Sequence, residues 1–141
     1  MPLVIIRRVA FCETDAAGII HFTTYFAFME VAEAELFRCL GLSLLWEEGD
    51  TRYGFPRVDC QCRFRRAVHF DEEVTIEMRI TEIQESRIQY AFTFSTSDET
   101  RCASGSMTTA FTRRARGERL EALPVPDSMR RKLEQFKNQA I

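Results

Sequence analysis

Two different periods of apolar and polar positions run along this chain, and the change from one to the other divides it. Residues 3–11, LVIIRRVAF, are few and rich in β-branched side chains, which predicts a strand. Over 23–42 the spacing is helical: Tyr25, Met29, Ala32, Leu36 and Leu40 recur along one stripe, and Phe22, Phe26, Phe28, Val31 and Phe37 widen it over most of the circumference. Thr23 or Thr24 can cap the start and Gly41 can end the run, so one helix of about 18 residues is expected. Only Glu30, Glu33, Glu35 and Arg38 mark a wet side, so other elements must enclose the helix. Ala32 and Ala34 let a sheet come close.

After 43–56, read as a short helix or turn followed by a loop ending at Pro56, the period becomes two. Val58, Cys60, Cys62 and Phe64 alternate with Arg57, Asp59, Gln61 and Arg63, and Val74, Ile76, Met78 and Ile80 with Thr75, Glu77 and Arg79. Ile88, Tyr90, Phe92 and Phe94 share one face of 87–95, and Ala103, Gly105, Met107, Thr109 and Phe111 one face of 103–112. Four half-buried strands are predicted, with polar turns at 69–73 and 97–100 that make neighbours antiparallel. Prolines and a cap at Asp127 or Ser128 introduce a C-terminal amphipathic helix. Strand, long apolar helix and meander combine as a two-layer α+β domain, a five-stranded antiparallel sheet curved around the helix. Its open edges and uncovered layer favour self-association.

Composition narrows the function. One domain accounts for 141 residues that are 45% hydrophobic, and a net charge of −2 gives no field that would draw nucleic acid or an anionic membrane. No apolar run is long enough to cross a bilayer and the start lacks a signal-peptide pattern, so a cytoplasmic location is expected. Five scattered cysteines, Cys12, Cys39, Cys60, Cys62 and Cys102, read as free, small, buried apolar residues in a reducing compartment. Cys60-x-Cys62 lacks a third ligand at metal-site spacing, and His69 offers no dyad with a thiol, so neither a metal nor a cysteine nucleophile is expected.

The chemistry-bearing stretch is ETDAAGIIHFTTYF, 13–26. Asp15 stands between a strand end and a helix start, Gly18 follows as a flexible point, and the first helical N–H groups have no intrahelical partner. Such amides, with the positive end of the helix dipole, can hold an oxyanion forming on a substrate carbonyl opposite the carboxylate. That arrangement suits acyl transfer. The structural alternatives are an aspartate that merely favours a helix N-terminus and a tyrosine, Tyr25, that is simply core.

The order Glu13, Thr14, Asp15, Ala16, Ala17, Gly18, Ile19, Ile20, His21, Phe22 and then Tyr25, running into the long helix, resembles the signature of the 4-hydroxybenzoyl-CoA thioesterase family of hotdog-fold proteins. The likeness continues through 53–80 and covers about residues 3–114. It implies hydrolysis of an acyl-CoA thioester with no metal or cofactor beyond the CoA of the substrate, in a homodimer or homotetramer with active sites at the dimer interface. By position, Asp15 matches the catalytic carboxylate, and the Phe22 N–H matches the donor that polarises the carbonyl. Gly18 lets the chain turn close to substrate. His21 and Tyr25 accompany them as candidate catalytic side chains, and some relatives carry the imidazole at 22 and the aromatic ring at 21. Glu30 is a further candidate base on the helix. Candidate holders of the CoA phosphates are Arg63, Arg65 and Arg66 at one strand end and Arg113, Arg114 and Arg116 at another. A hotdog enoyl-CoA hydratase and a non-catalytic module binding acyl-CoA or acyl-carrier protein remain as alternatives.

Overall fold

The computed structural model describes residues 2–139. Strand β1 (Leu3–Arg8) passes through a 3-10 turn (Phe11–Glu13) and a loop into the long helix α1 (Phe22–Cys39). There follow β2 (Trp46–Glu48), β3 (Thr51–Gly54), β4 (Arg57–Phe64), β5 (Glu73–Ile83), β6 (Arg87–Thr96), β7 (Arg101–Ala110), β8 (Thr112–Ala115) and β9 (Glu121–Ala122), and α2 (Asp127–Gln139) closes the order. The main sheet runs β1-β5-β6-β7-β4, antiparallel throughout, and a smaller one runs β2-β3-β8-β9.

The alternating strands bury one face, with Val74, Ile76, Met78 and Ile80 of β5 and Ile88, Tyr90, Phe92 and Phe94 of β6 turned toward α1. The helix answers with Tyr25, Phe28, Met29, Ala32, Leu36 and Phe37. Tyr25 meets Phe94 edge-on at 5.0 Å, and Phe37 meets Phe55 at 5.4 Å. Gly105 on β7 leaves room for the helix: a Cβ there would collide with Met29 Cε and lie 2.7 Å from the Gln61 carbonyl oxygen of β4. Helix α1 ends as expected at Gly41, whose φ of +70° lets its N–H reach Arg38 O at 3.1 Å while the Leu42 N–H reaches Phe37 O at 2.8 Å.

Several expectations are corrected. The first strand stops at Arg8, where the chain turns into the 3-10 segment. Residues 43–56 hold no helix; β2 and β3 form a hairpin whose two-residue loop, Gly49-Asp50, starts with a glycine at φ +59°. The last long strand breaks at Phe111, and β8 continues into the second sheet. Because β3 pairs with β8 and β4 with β7, the small sheet extends one long ribbon bent at Pro56 and Phe111. Strand β4 is exposed on both faces, with Val58 at 47% and Phe64 at 51%, since it ends the main sheet with β7 on one side only. Of the cysteines only Cys102 is fully buried; Cys12, Cys39 and Cys60 are exposed and all five are free. Cys60 follows the open edge of β4, Cys39 the end of α1 and Cys12 the surface turn.

Glu33 is the largest departure. Instead of a wet face it is 0% exposed, on the sheet side of α1. Arg57 at the start of β4 brings Nη2 to 2.7 Å from its Oε1 and also approaches Glu30 at 3.9 Å, while donating to the Phe55 carbonyl at 2.9 Å. The contact lies off the donor axis, so the Glu33 oxygens have close neighbours without a well-formed hydrogen bond, as do the buried Tyr90 hydroxyl and Thr109 Oγ1 beside them. Burial pushes the Glu33 carboxyl upward, against the pull of Arg57.

Candidate active site

The loop between the 3-10 turn and α1 is tied on both sides. Ile20 N–H donates to Val68 O at 2.7 Å, Ile19 bridges His69, and Thr14 bridges Ile20. Within it Asp15 forms a tight turn: its N–H donates to Ile19 O at 2.8 Å, its carbonyl accepts from Gly18 N–H at 3.0 Å, and its Oδ1 accepts from Ala17 N–H at 2.8 Å. Gly18 carries a φ of +79°, which a residue with a side chain rarely adopts. One carboxylate oxygen is thus steered by the turn, and among the described residues the other meets no donor or cation.

At the helix start, the Thr23 N–H donates to His21 Nδ1 at 3.3 Å and the Thr24 N–H to His21 O at 2.9 Å. The Phe22 N–H has no protein partner among the described residues. His21, not Thr23 or Thr24, is the cap; the hydroxyl of Thr24 turns instead to Glu13 O at 3.1 Å.

Asp15, Phe22 and Tyr25 line one cavity of about 350 Å³, together with Ile19, Ile20, Phe64, Arg65, Arg66 and Ala67. Phe64 and Ala67 belong to this wall although nothing in the sequence reading singled them out; the signal for Phe64 was its place as the last apolar residue of an alternating strand. His21 is outside the lining and stacks on Phe22 with ring centres 4.7 Å apart. Burial, then the neighbouring Cys102 thiol, raises the Tyr25 hydroxyl far above its ordinary range, so that group can donate a proton's hydrogen bond but cannot serve as a base. Burial pushes the Cys62 thiol up to about 11 and raises Cys60 and Cys102 as well, the reverse of what an activated thiolate needs.

The arginines separate into two groups. Arg65 and Arg66 reach the cavity, Arg66 being held by Asp98 at 3.3 Å while the Arg65 guanidinium has no partner among the described residues. Arg63 does not line it. Arg113 and Arg114 lie on β8 at the other end of the long ribbon, where Arg113 pairs with Glu121 at 3.0 Å and Arg114 donates to Glu118 O at 3.1 Å. A larger cleft of about 560 Å³ there is lined by Arg52, Arg114, Arg116, Glu47 and Asp50. Size does not make it the better candidate, because Arg52 is already paired with Glu47 at 2.8 Å and the Asp15–Gly18 turn and the start of α1 lie at the other cavity.

Asp15 and Phe22, the first residue of α1, line one largely apolar cavity, and the helix-in-sheet architecture is the hotdog fold. The chain belongs to the thioesterase-like superfamily, whose family model matches residues 9–133. It is 29% identical over 99 residues, 65% of this chain and 66% of the relative, to a 1,4-dihydroxy-2-naphthoyl-CoA hydrolase of Prochlorococcus marinus. Among solved structures it resembles a gentisyl-coenzyme A thioesterase, with a TM-score of 0.80 and 28% identity over 93% of this chain and 99% of the other. A 4-hydroxybenzoyl-CoA thioesterase variant complexed with 4-hydroxybenzoyl-CoA shares the fold at a TM-score of 0.78 and 21% identity, covering 94% and 98% of the two chains.

Proposed function

We infer that this protein hydrolyses an acyl-CoA thioester to the free acid and CoA. The observation that carries the reading is that Asp15 and Phe22, whose N–H has no protein partner among the described residues, line the same cavity. The Phe22 amide, at the positive end of α1, receives the carbonyl oxygen as it gains charge, a donor typically worth 10²–10³ in rate, about 3–4 kcal/mol. Asp15 drives formation of the new carbon–oxygen bond while the carbon–sulfur bond breaks and the thiol leaves with a proton. The aromatic walls Phe22, Tyr25 and Phe64 suit a flat acyl group, in keeping with the aromatic acyl-CoA substrates named for the relatives. Arg65 and Arg66 are the arginines placed to meet an anionic part of the substrate.

A second copy of the chain is the expected partner. Strand β4 offers eight residues of open edge with Val58 and Phe64 exposed, a template for pairing with itself in a dimer or a tetramer of dimers. Five free thiols fit a reducing, cytoplasmic setting.

The test is thiol release across aromatic, short and long acyl-CoAs by the wild type and Asp15→Asn. The variant should retain its fold and lose about 10²–10⁴-fold in kcat, the range for a positioned acid or base. Full activity in the variant, double-bond hydration without thiol release, or binding without turnover would each overturn the reading. Single-turnover hydrolysis in heavy-oxygen water then assigns the role of Asp15: label in the enzyme's carboxylate means direct attack, and label confined to the product acid means an activated water.

A further inference from the structure

His21 stands at the seam between the turn that carries Asp15 and the helix that offers the Phe22 amide, and its groups are committed there. Its N–H donates to Glu13 O at 2.8 Å, and its carbonyl accepts from Thr24 N–H at 2.9 Å. Its Nδ1 accepts from Thr23 N–H at 3.3 Å and lies 2.7 Å from Thr23 Oγ1. The ring lies over that of Phe22 at an interplanar angle of 26°.

A peptide group is planar and trans, so the carbonyl of residue 21 and the N–H of residue 22 point in opposite directions within one plane. Because the His21 carbonyl is turned into the helix to meet Thr24, the Phe22 N–H is turned out of it. The ψ of His21, 139°, sets that plane, and the imidazole cap on Thr23 holds it. An acceptor role at Nδ1 also puts the ring's proton on Nε2, which leaves the imidazole no free lone pair for a base.

We propose that His21 is a positioning residue for thioester hydrolysis: its imidazole caps α1 through Nδ1 and so aims the Phe22 N–H at the substrate carbonyl, taking no proton from substrate or water. The inference rests on the thioesterase reading above, and one arm of its test is independent of activity.

His21→Ala removes the cap, while His21→Asn replaces the imidazole by a side chain that caps helices well but transfers no proton. In His21→Ala kcat should fall roughly tenfold to a hundredfold, short of the 10²–10³ of a lost oxyanion donor, with KM within about threefold of wild type. His21→Asn should return kcat to within about threefold, with circular dichroism confirming that both variants are folded. A folded His21→Asn as slow as His21→Ala would show that the imidazole's own chemistry is needed, and unchanged kcat in His21→Ala would show that the cap is irrelevant; either overturns the proposal. Nitrogen-15 spectroscopy of the imidazole reads the other arm without substrate. The Nε2–H tautomer is expected, together with a Phe22 amide resonance displaced in His21→Ala and restored in His21→Asn. An Nδ1–H tautomer, or an amide resonance indifferent to both changes, overturns the proposal even if wild-type thiol release were absent.

Discussion

Asp15 and Glu33 are two carboxylates on one short stretch of chain, placed at opposite ends of what a carboxylate can do in a fold. Asp15 is exposed in a turn just before α1, its side chain held by one backbone N–H and paired with no cation among the described residues. Glu33 is at the start of the fourth turn of the helix, fully enclosed, with the Arg57 guanidinium against it. The two are associated with opposite ends of β4, since the Phe64 end lines the Asp15 cavity and the Arg57 end meets Glu33, about 23 Å apart for an extended strand. A negative charge open to a cavity and left unneutralised is available for chemistry. One buried against a guanidinium is spent on holding the helix to the start of β4 and to the bend between the two sheets.

Deleting each charge should therefore separate activity from stability. Asp15→Asn should cost turnover, as above, and leave the urea midpoint unchanged. Glu33→Ala should do the opposite. Removing one partner of a buried ion pair typically destabilises by about 3–5 kcal/mol. The lower end is expected here because Arg57 is partly exposed and keeps Glu30 nearby. Equilibrium urea unfolding at neutral pH measures it, and a Glu33→Ala chain as stable as wild type would remove the structural role given to this pair.

Glu33→Gln refines the contrast through pH. Because burial raises the Glu33 carboxyl above its ordinary 4.5, the folded chain holds that proton more tightly than the unfolded one. Unfolding then releases a proton, so this group's contribution to stability is most favourable at low pH and declines as pH rises from the ordinary glutamate range through the raised folded-state value. The glutamine variant should lack that decline, seen as a flatter urea midpoint against pH. Asp98 supplies a trend of opposite sign, because hydrogen bonds from Thr96 and then Thr100 hold its carboxyl low, so its contribution is lost as pH falls. Glu33→Gln should leave that acid-side loss intact.

The next effect is steric. Gly105→Ala would push a methyl group against Met29 Cε and the Gln61 carbonyl, and although the methionine tip can swing aside, the backbone of β4 cannot easily follow. Overpacking of this kind costs about 1–3 kcal/mol, again read by urea unfolding, and the strain falls on β4 between its two functional ends.

What could be read in advance follows from how local each signal is. The period of α1, its stop at Gly41, and the alternation of β5 and β6 are fixed by neighbours a few residues away and appear directly in the sequence. So does the Asp15–Gly18 turn beside a helix start. The β2–β3 hairpin was missed although Gly49-Asp50 is a recognised two-residue loop, because the three- and four-residue strands flanking it are too short to show alternation. Glu33 looked wet because it shares a stripe with Glu30, and its burial depends on Arg57, 24 residues later. His21 escaped as a cap because imidazole is not among the side chains that usually fill that role. The exposure of β4 could not be foreseen either, since alternation identifies an apolar face and says nothing about whether the strand ends a sheet.

The smallest effects concern the arginines, which again divide by end. Arg113 is exposed and already paired with Glu121, and a surface pair of that kind contributes little to stability. Arg113→Gln should leave kcat/KM within about twofold and stability nearly unchanged. Arg65 lines the Asp15 cavity with a guanidinium that no group among the described residues engages. A hydrogen bond from such a group to an anionic ligand is worth about 1.5–3 kcal/mol, and exposure to solvent places the expectation at the low end. Arg65→Gln should raise KM about tenfold with kcat little changed, the signature of binding lost equally from ground and transition states. If Arg113→Gln raised KM and Arg65→Gln did not, the CoA moiety would run toward the second sheet, and the Arg52–Glu47 pair in the 560 Å³ cleft would have to open to receive it.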